Sequence, residues 1–307
     1  MRELIVGSRE SKLAMIQTHL IIDKLKEIGI NYPIKIEKIA TKGDKILDVA
    51  LDKVGGTGIF IEDLETLLQN KKVDFAVHSM KDLSPDMNPE FTIAAVPERE
   101  DPRDALISKD HIKLSDLKEG AVIGTSSARR GAQIKAIRPD LNTKWIRGPI
   151  DSRIEQLNQG DFDAIILAVA GLNRMNLSEK VITEYLEIDR FVPSVAQGAL
   201  AIQCRADDEE MIEILKLLND KSTEQATKAE RYTLSLLDED DKAPIGVYAN
   251  FESDQITIYL SIASLNGTKL LITSATGNDY KVVAKKVADE LIAQGALDII
   301  ENSKRGK

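Results

Sequence analysis

The sequence has few of the residues that build disulfides, metal centres and aromatic stacking surfaces. Of its 307 residues, one is cysteine, three are histidine and one is tryptophan. A single cysteine, Cys204, excludes an internal disulfide and a multi-cysteine zinc site. The histidines, His19, His78 and His111, show no ligand spacing, so we predict no histidine metal centre.

Long apolar runs and an excess of positive charge are also missing. The longest apolar stretch, residues 164–172, is far too short to cross a bilayer. The chain goes from Met1 directly into a strand pattern, without the apolar core of a signal peptide. Its net charge of -9 argues against a nucleic-acid footprint, which needs a basic face. We expect a cytoplasmic protein with neither a membrane nor a nucleic-acid partner, in which an anion site is a local basic pocket.

Strand-like and helix-like segments alternate along most of the chain. They do so over residues 4–96 and again over residues 121–167, with a charged, proline-containing stretch at 97–104 between them. Such alternation predicts two α/β units with mostly parallel sheets. Consecutive strands and a closing helix then predict a small α+β domain with an antiparallel sheet, the strands lying at 247–252, 256–263 and 270–274.

One stretch combines a strand, a turn and a helix start. Residues 121–123 are apolar, and Gly124 lets the backbone turn. Three residues suited to cap a helix follow: Thr125, Ser126 and Ser127. Arg129 and Arg130 come next, in a first turn where the helix dipole disfavours cations but favours anions. The pattern predicts an anion site, although a capped helix with solvated arginines stays open as an alternative.

Polar clusters recur at the ends of predicted strands, where open α/β sheets bind their ligands. There are six cationic candidates: the clusters carry Arg9, Lys81, Arg129, Arg130 and Arg147, and Arg153 follows on the first turns of the next predicted helix. Arginine matches carboxylates well because its planar fork donates two parallel hydrogen bonds. Asp82 is the best candidate acid. Taken singly, each cation fits a surface ion pair, Asp82 a cap and Gln197 a connecting turn, so the prediction depends on their convergence around one cleft.

Seven stretches, in order, carry a family resemblance over nearly the whole chain: residues 6–14, 41–48, 75–82, 124–130, 146–148, 163–172 and 197–200. Together they resemble hydroxymethylbilane synthases, also called porphobilinogen deaminases. The resemblance implies two periplasmic-binding-protein-like α/β lobes around a cleft and a small α+β third domain with a three-stranded antiparallel sheet. It implies residues 1–98 with 197–217 for lobe 1, 99–196 for lobe 2 and 218–307 for the third domain, in a cytoplasmic monomer.

The resemblance also implies a reaction and a role for each matching residue. The family joins four porphobilinogen molecules head to tail into a linear tetrapyrrole and releases ammonia at each addition. Asp82 matches the catalytic aspartate, and Arg9 with Ser11 matches the substrate contacts. The positions matching contacts to the cofactor and to the carboxylates of the growing chain are Lys81, Thr125, Ser126, Ser127, Arg129, Arg130, Arg147, Gly148, Arg153 and Gln197.

The chain departs from the family pattern at functional loops. The family attaches a dipyrromethane cofactor to a cysteine in its third domain, and here that position is Asp241, preceded by Glu239 and Asp240 in place of two glycines. A carboxylate cannot form the thioether, so dipyrromethane is the expected cofactor but its attachment is in question. Thr57 and Pro149 replace a lysine and an asparagine. A non-enzymatic two-lobed protein that binds a pyrrole or small polycarboxylate therefore stays open, as does a scaffold without ligand.

Overall fold

The computed structural model describes residues 2–40, 61–84, 87–237 and 243–305. Its strands are β1 (Leu4–Arg9), β2 (Ile34–Ile39), β3 (Phe75–Ser79), β4 (Phe91–Ala95), β5 (Asp104–Ser108), β6 (Val122–Gly124), β7 (Asn142–Lys144), β8 (Ala164–Ala168), β9 (Glu184–Leu186), β10 (Leu200–Arg205), β11 (Ile245–Glu252), β12 (Gln255–Ala263) and β13 (Leu270–Gly277). Its α-helices are α1 (Lys12–Glu27), α2 (Glu62–Gln69), α3 (Ala128–Ile137), α4 (Ile150–Gln159), α5 (Val169–Arg174), α6 (Ser178–Val181), α7 (Glu209–Lys216), α8 (Lys221–Ser235), α9 (Tyr280–Ala293) and α10 (Ala296–Lys304). Among these helices, none is long and apolar enough to cross a membrane.

The chain divides into two compact units. The first contains Met1–Glu100 and Gly198–Glu224, and the second contains Asp101–Gln197 and Gln225–Lys307. The second unit holds two separate sheets. The division into three domains at 98, 196 and 217 stays a prediction.

The first unit is built on a five-stranded sheet with the order β2-β1-β3-β10-β4. β1 pairs in parallel with β2 and β3, whereas β10 pairs antiparallel with β3 and β4. The sheet is therefore mixed, and the expectation of a mostly parallel sheet was wrong for this reason: β10 arrives from a distant part of the chain and runs between two earlier strands. Leu4, Phe75 and Ile202 are fully buried in its core.

The sheet formed by residues 104–186 in the second unit has the order β7-β6-β8-β5-β9 and is also mixed. β6 pairs in parallel with β7 and β8, and β5 pairs antiparallel with β8 and β9. The sequence pattern missed β5 and β9, because β5 begins at Asp104 inside the stretch interpreted as a boundary. All five residues of β5 are buried.

The last sheet, β11-β12-β13, is antiparallel throughout. Alternate apolar residues of β12, such as Ile256, Ile258 and Leu260, are buried in a core shared with Val287 and Leu291 of α9. This confirms the predicted α+β part of the chain, as the two mixed sheets with their helices confirm the α/β part.

The residues of α1 show how the site of the first unit is anchored. Ser11 caps the helix by accepting a hydrogen bond from the Ala14 backbone N–H, at 3.3 Å. The buried face of α1 includes Gln17 and Ile21, whereas Leu20 is 39% exposed. The helical period is thus as predicted, but the buried face is rotated towards polar Gln17.

Candidate functional site

The first group of predicted site residues lies where β1 turns into α1. Arg9 is the last residue of β1 and Ser11 is the N-cap of α1, and both are half-buried. The Ser11 hydroxyl accepts one backbone hydrogen bond as a cap, which leaves its own proton available for donation. The strand end and the helix start therefore hold a guanidinium and a hydroxyl two residues apart.

A second group lies at the end of the neighbouring strand β3. The strand is apolar and buried until His78 and Ser79, and a 3₁₀ turn over Met80–Asp82 follows directly. The Met80 N–H donates to the carbonyl oxygen of Ala199 at 3.0 Å, which ties this turn to the chain entering β10. In the turn Lys81 is exposed and Asp82 is half-buried.

These two strand ends share one pocket in the first unit. It is lined by Arg9, Ala14, Gln17, Ile61, Val77, His78, Ser79 and Asp82. Arg9 and Asp82, predicted separately from the sequence, therefore meet at one pocket. Arg9 can bind a carboxylate, and Asp82 can exchange a proton. Together they suit a substrate that carries both a carboxylate and a basic nitrogen.

Two polar lining residues were not singled out as site residues. The Gln17 amide donates to the Ser79 hydroxyl at 3.0 Å. His78 is buried, and its Nε2 has no hydrogen-bond partner among the residues described. Burial, together with the charge of Arg9, lowers the pKa of His78 to about 4, although Gln203 opposes the shift. The sequence pattern gave no signal for Gln17, because its burial depends on the tertiary hydrogen bond with Ser79.

In the second unit, β6 leads into α3 through the predicted cap residues. Thr125 is buried and its hydroxyl accepts from the Ser127 N–H at 3.2 Å. Ser127 is the N-cap and its hydroxyl accepts from the Arg130 N–H at 3.4 Å, while Ser126 is exposed. The helix start predicted from this stretch is confirmed.

The two arginines of this helix are buried and share a carboxylate that the sequence prediction missed. Arg129 Nη2 and Arg130 Nη2 each lie 2.7 Å from a carboxylate oxygen of Asp104, the first residue of β5. The Gln197 amide donates to the same carboxylate at 2.9 Å and accepts from Arg130 at 3.3 Å. Arg129 also donates to the carbonyl oxygen of Val192 at 2.8 Å.

The opposite charges of Asp104 and the two arginines explain why these side chains can be buried together. Burial alone would raise the pKa of Asp104, but Arg129 and Arg130 more than offset it and hold the pKa well below its usual range. Burial and the charge of Arg130 lower the pKa of Arg129. Two guanidiniums around one carboxylate leave one net positive charge. The two arginines in the first turn of a helix were a signal for a nearby anion, but nothing in the sequence assigned that anion to Asp104.

A second arginine pair, Arg147 and Arg153, lies where β7 leads into α4. Arg153 donates from Nε to the carbonyl oxygen of Gly148 at 2.8 Å. Gly148 has a φ of 113°, a backbone conformation that residues with a side chain rarely adopt. The next residue, Pro149, is the N-cap of α4. Burial, then the charges of Arg130 and Arg147, lower the pKa of Arg153 to about 10. Arg130, Arg147 and Arg153, called here the arginine cluster, therefore lie close enough for the charges of the first two to act on the third.

Asp241, the expected attachment position, lies outside the described residues, as do residues 41–60 with part of the resemblance. Within the described residues, no three His, Cys, Asp or Glu side chains are placed to hold a metal ion.

Comparison with known proteins identifies the family. Residues 4–213 match the family model described as "Porphobilinogen deaminase, dipyromethane cofactor binding domain". The chain is 50% identical to the porphobilinogen deaminase of Oceanobacillus iheyensis over 305 residues, 99% of this chain and 98% of that protein. It is 48% identical to the porphobilinogen deaminase of Bacillus subtilis over 306 residues, again 99% and 98% of the two chains. A solved putative methionine-binding lipoprotein from Bacillus subtilis is 16% identical, with a TM-score of 0.43 over 73% of this chain and 92% of its own. The chain therefore belongs to the porphobilinogen deaminase family.

Proposed function

We propose that this chain is a hydroxymethylbilane synthase, which joins four porphobilinogen units head to tail into a linear tetrapyrrole with release of ammonia. The observation that carries the proposal is the pocket of the first unit, in which Arg9 and Asp82 meet in a chain of this family. The reaction makes the protein a transferase of tetrapyrrole and haem biosynthesis. We further propose that it acts as a cytoplasmic monomer.

The incoming porphobilinogen binds at the pocket of the first unit. Arg9 binds a side-chain carboxylate of the substrate, and the free proton of the Ser11 hydroxyl supports the same contact. Asp82 assists the loss of ammonia from the aminomethyl carbon and stabilises the cationic azafulvene that remains. The neighbouring pyrrole then forms the new carbon–carbon bond at that carbon and loses its ring proton. Neutral, buried His78 adds no competing charge beside Asp82.

The second unit holds the carboxylates of the growing chain. Arg147 and Arg153 supply positive charge for these carboxylates, and Gly148 lets the ligand approach the backbone closely. Thr125, Ser126 and Ser127 lie at the start of α3, where a helix N-terminus favours an anion. Arg129, Arg130 and Gln197 belong to the same proposed region; Asp104 fixes their side chains, and one positive charge remains. Lys81, in the first unit, is proposed to bind a further carboxylate.

The family's dipyrromethane cofactor fits these residues only in part. Its carboxylates match the arginine cluster. Its covalent attachment does not match the chain, because the one cysteine, Cys204, is fully buried in β10.

The test is the replacement Asp82→Asn in the full chain, with ammonia release and porphobilinogen consumption as readouts. Removing a positioned acid is expected to slow release on the order of 100-fold or more. Binding of porphobilinogen, measured by calorimetry, should change little. Asp23→Asn, an exposed aspartate on α1, is the matched control and should keep the parent rate.

Two results would contradict the proposal. One is a D82N variant that releases ammonia at the parent rate. The other is a parent chain that binds porphobilinogen without any ammonia release, even with a linear dipyrrole added, which would favour the non-enzymatic binding protein.

A further inference from the structure

Covalent attachment of a linear pyrrole through sulfur requires a thiolate that can reach the pyrrole's methylene carbon. This chain has a single thiol, because Cys204 is its one cysteine. Cys204 lies on β10, an interior strand of the first sheet, where its backbone pairs with Phe75 of β3 and Thr92 of β4. Its relative exposure is 0%.

The surroundings of Cys204 make it unreactive as well as inaccessible. It packs in the core cluster that also contains Leu4, Val6 and Met211. Burial, and then the charge of Asp208, raise the pKa of the thiol to about 12. At neutral pH the thiolate, which is the nucleophilic form, is nearly absent. Alkylation would require opening the central strands of the sheet.

The second unit offers another way to hold a polycarboxylate. Arg130 is buried and Arg153 is half-buried, and each donates to a backbone carbonyl, Arg153 to Gly148 at 2.8 Å and Arg130 to Ile166 at 3.1 Å. Their positions are thereby fixed before any ligand arrives. Arg129 and Arg130 share the single carboxylate of Asp104, so one positive charge remains there, and the charges of Arg130 and Arg147 act on the nearby Arg153. A ligand with several carboxylates gains from each added contact without any bond to the protein.

We propose that this chain holds its linear pyrrole only by non-covalent contacts, with its carboxylates on the arginine cluster and no thioether to the protein. The proposal rests on the proposed function, whose substrate chain it describes. Without a covalent bond to the protein, the starting dipyrrole and the finished linear product are held in the same way. The product therefore competes with the dipyrrole for the same arginines. Denaturation or high salt then releases every pyrrole from the protein.

The experiment combines intact mass with thiol counting on the full chain. The chain is incubated with porphobilinogen and a synthetic dipyrrole carrying acetate and propionate groups, then denatured. We expect the mass of the unmodified chain and one titratable thiol per chain. A pyrrole mass increment that survives denaturation, or the loss of the thiol, would overturn the proposal.

Cys204→Ala is the matched variant, since it removes the only thiol from a residue outside the proposed site. It is expected to bind the dipyrrole as the parent does, and a folded C204A chain that loses binding would identify Cys204 as the anchor. Thiol counting in denaturant needs no folded variant and decides the question if C204A does not fold. Ammonia release is measured in the same samples. Its absence in an unmodified chain would defeat the proposed function alone, whereas turnover by a modified chain would defeat the non-covalent proposal alone.

Discussion

His78 shows how burial changes the chemistry of a single side chain. In solution its imidazole would be partly protonated near pH 6.5, but in the fold the pKa is lowered to about 4 by burial and by Arg9. The side chain lines the pocket beside Asp82 and stays neutral over the whole physiological range. A charged imidazole at this position would compete with the amino group of the substrate for the carboxylate of Asp82.

This shift predicts a pH dependence of stability. Between pH 6.5 and pH 4 the unfolded chain binds a proton at His78 that the folded chain does not, so the free energy of unfolding falls as the pH falls through that window. The loss is expected to be about 3 kcal/mol in total. Urea unfolding at pH 7, 6, 5 and 4 measures it. His78→Asn should flatten the curve relative to the parent, whereas His19→Gln, at an exposed histidine of α1, should leave it unchanged. Equal slopes for the parent and H78N would contradict the assignment.

The sequence predicted Arg9 and Asp82 correctly as residues at strand ends, since a strand's direction and its apolar run are local properties. It did not predict the state of His78, because its burial depends on β10, which pairs Ala201 with His78 from more than a hundred residues away. The same limit applied to Asp104. Its role depends on Arg129 and Arg130, which approach it only after β5 has joined its sheet.

At the scale of elements, Asp104 links the start of β5 to the first turn of α3. Its carboxylate receives both guanidiniums and the Gln197 amide, and it is fully buried. The connection explains how a helix start can carry two arginines against its own dipole. It also fixes the backbone that presents Ser127 and Thr125.

Replacing Asp104 with asparagine is expected to destabilise the chain strongly. The shape is kept, but two buried guanidiniums lose their counter-charge, and breaking a buried ion pair costs about 3–5 kcal/mol. Chemical unfolding of D104N against the parent measures the difference. Asp23→Asn removes an exposed carboxylate that pairs with Lys26 and is expected to have no measurable effect. A D104N chain as stable as the parent would show that the two arginines do not depend on Asp104.

Element boundaries were predictable where capping and periodicity are local, and less so where partners are distant. The start of α1 at Ser11 and of α3 at Ser127 followed from N-cap residues. The buried face of α1 did not follow from hydrophobicity alone, because Gln17 is drawn inward by its hydrogen bond with Ser79. β5 was missed because its first residue is charged, and that charge is neutralised only by tertiary contacts.

At the scale of the whole molecule, the acidic chain and its arginine cluster act in opposite directions on the binding of a polycarboxylate. A net charge of -9 repels a polycarboxylate over long distances. Arg130, Arg147 and Arg153 attract it at short range. Added salt weakens both effects. The sign of the salt dependence of binding therefore decides which of them governs recognition.

We expect the affinity for a carboxylate-bearing linear dipyrrole to fall as salt rises, by roughly tenfold between about 0.05 M and 0.5 M, because the Debye length shrinks to a few ångströms and contact pairs are screened. Calorimetry at a series of salt concentrations measures it. Arg153→Gln should weaken binding and flatten the slope, whereas Arg305→Gln, an exposed arginine in the same unit, should do neither. An affinity that rises with salt would mean that the acidic body dominates and that the arginine cluster does not hold the ligand. A falling affinity that R153Q leaves unchanged would place the contact elsewhere.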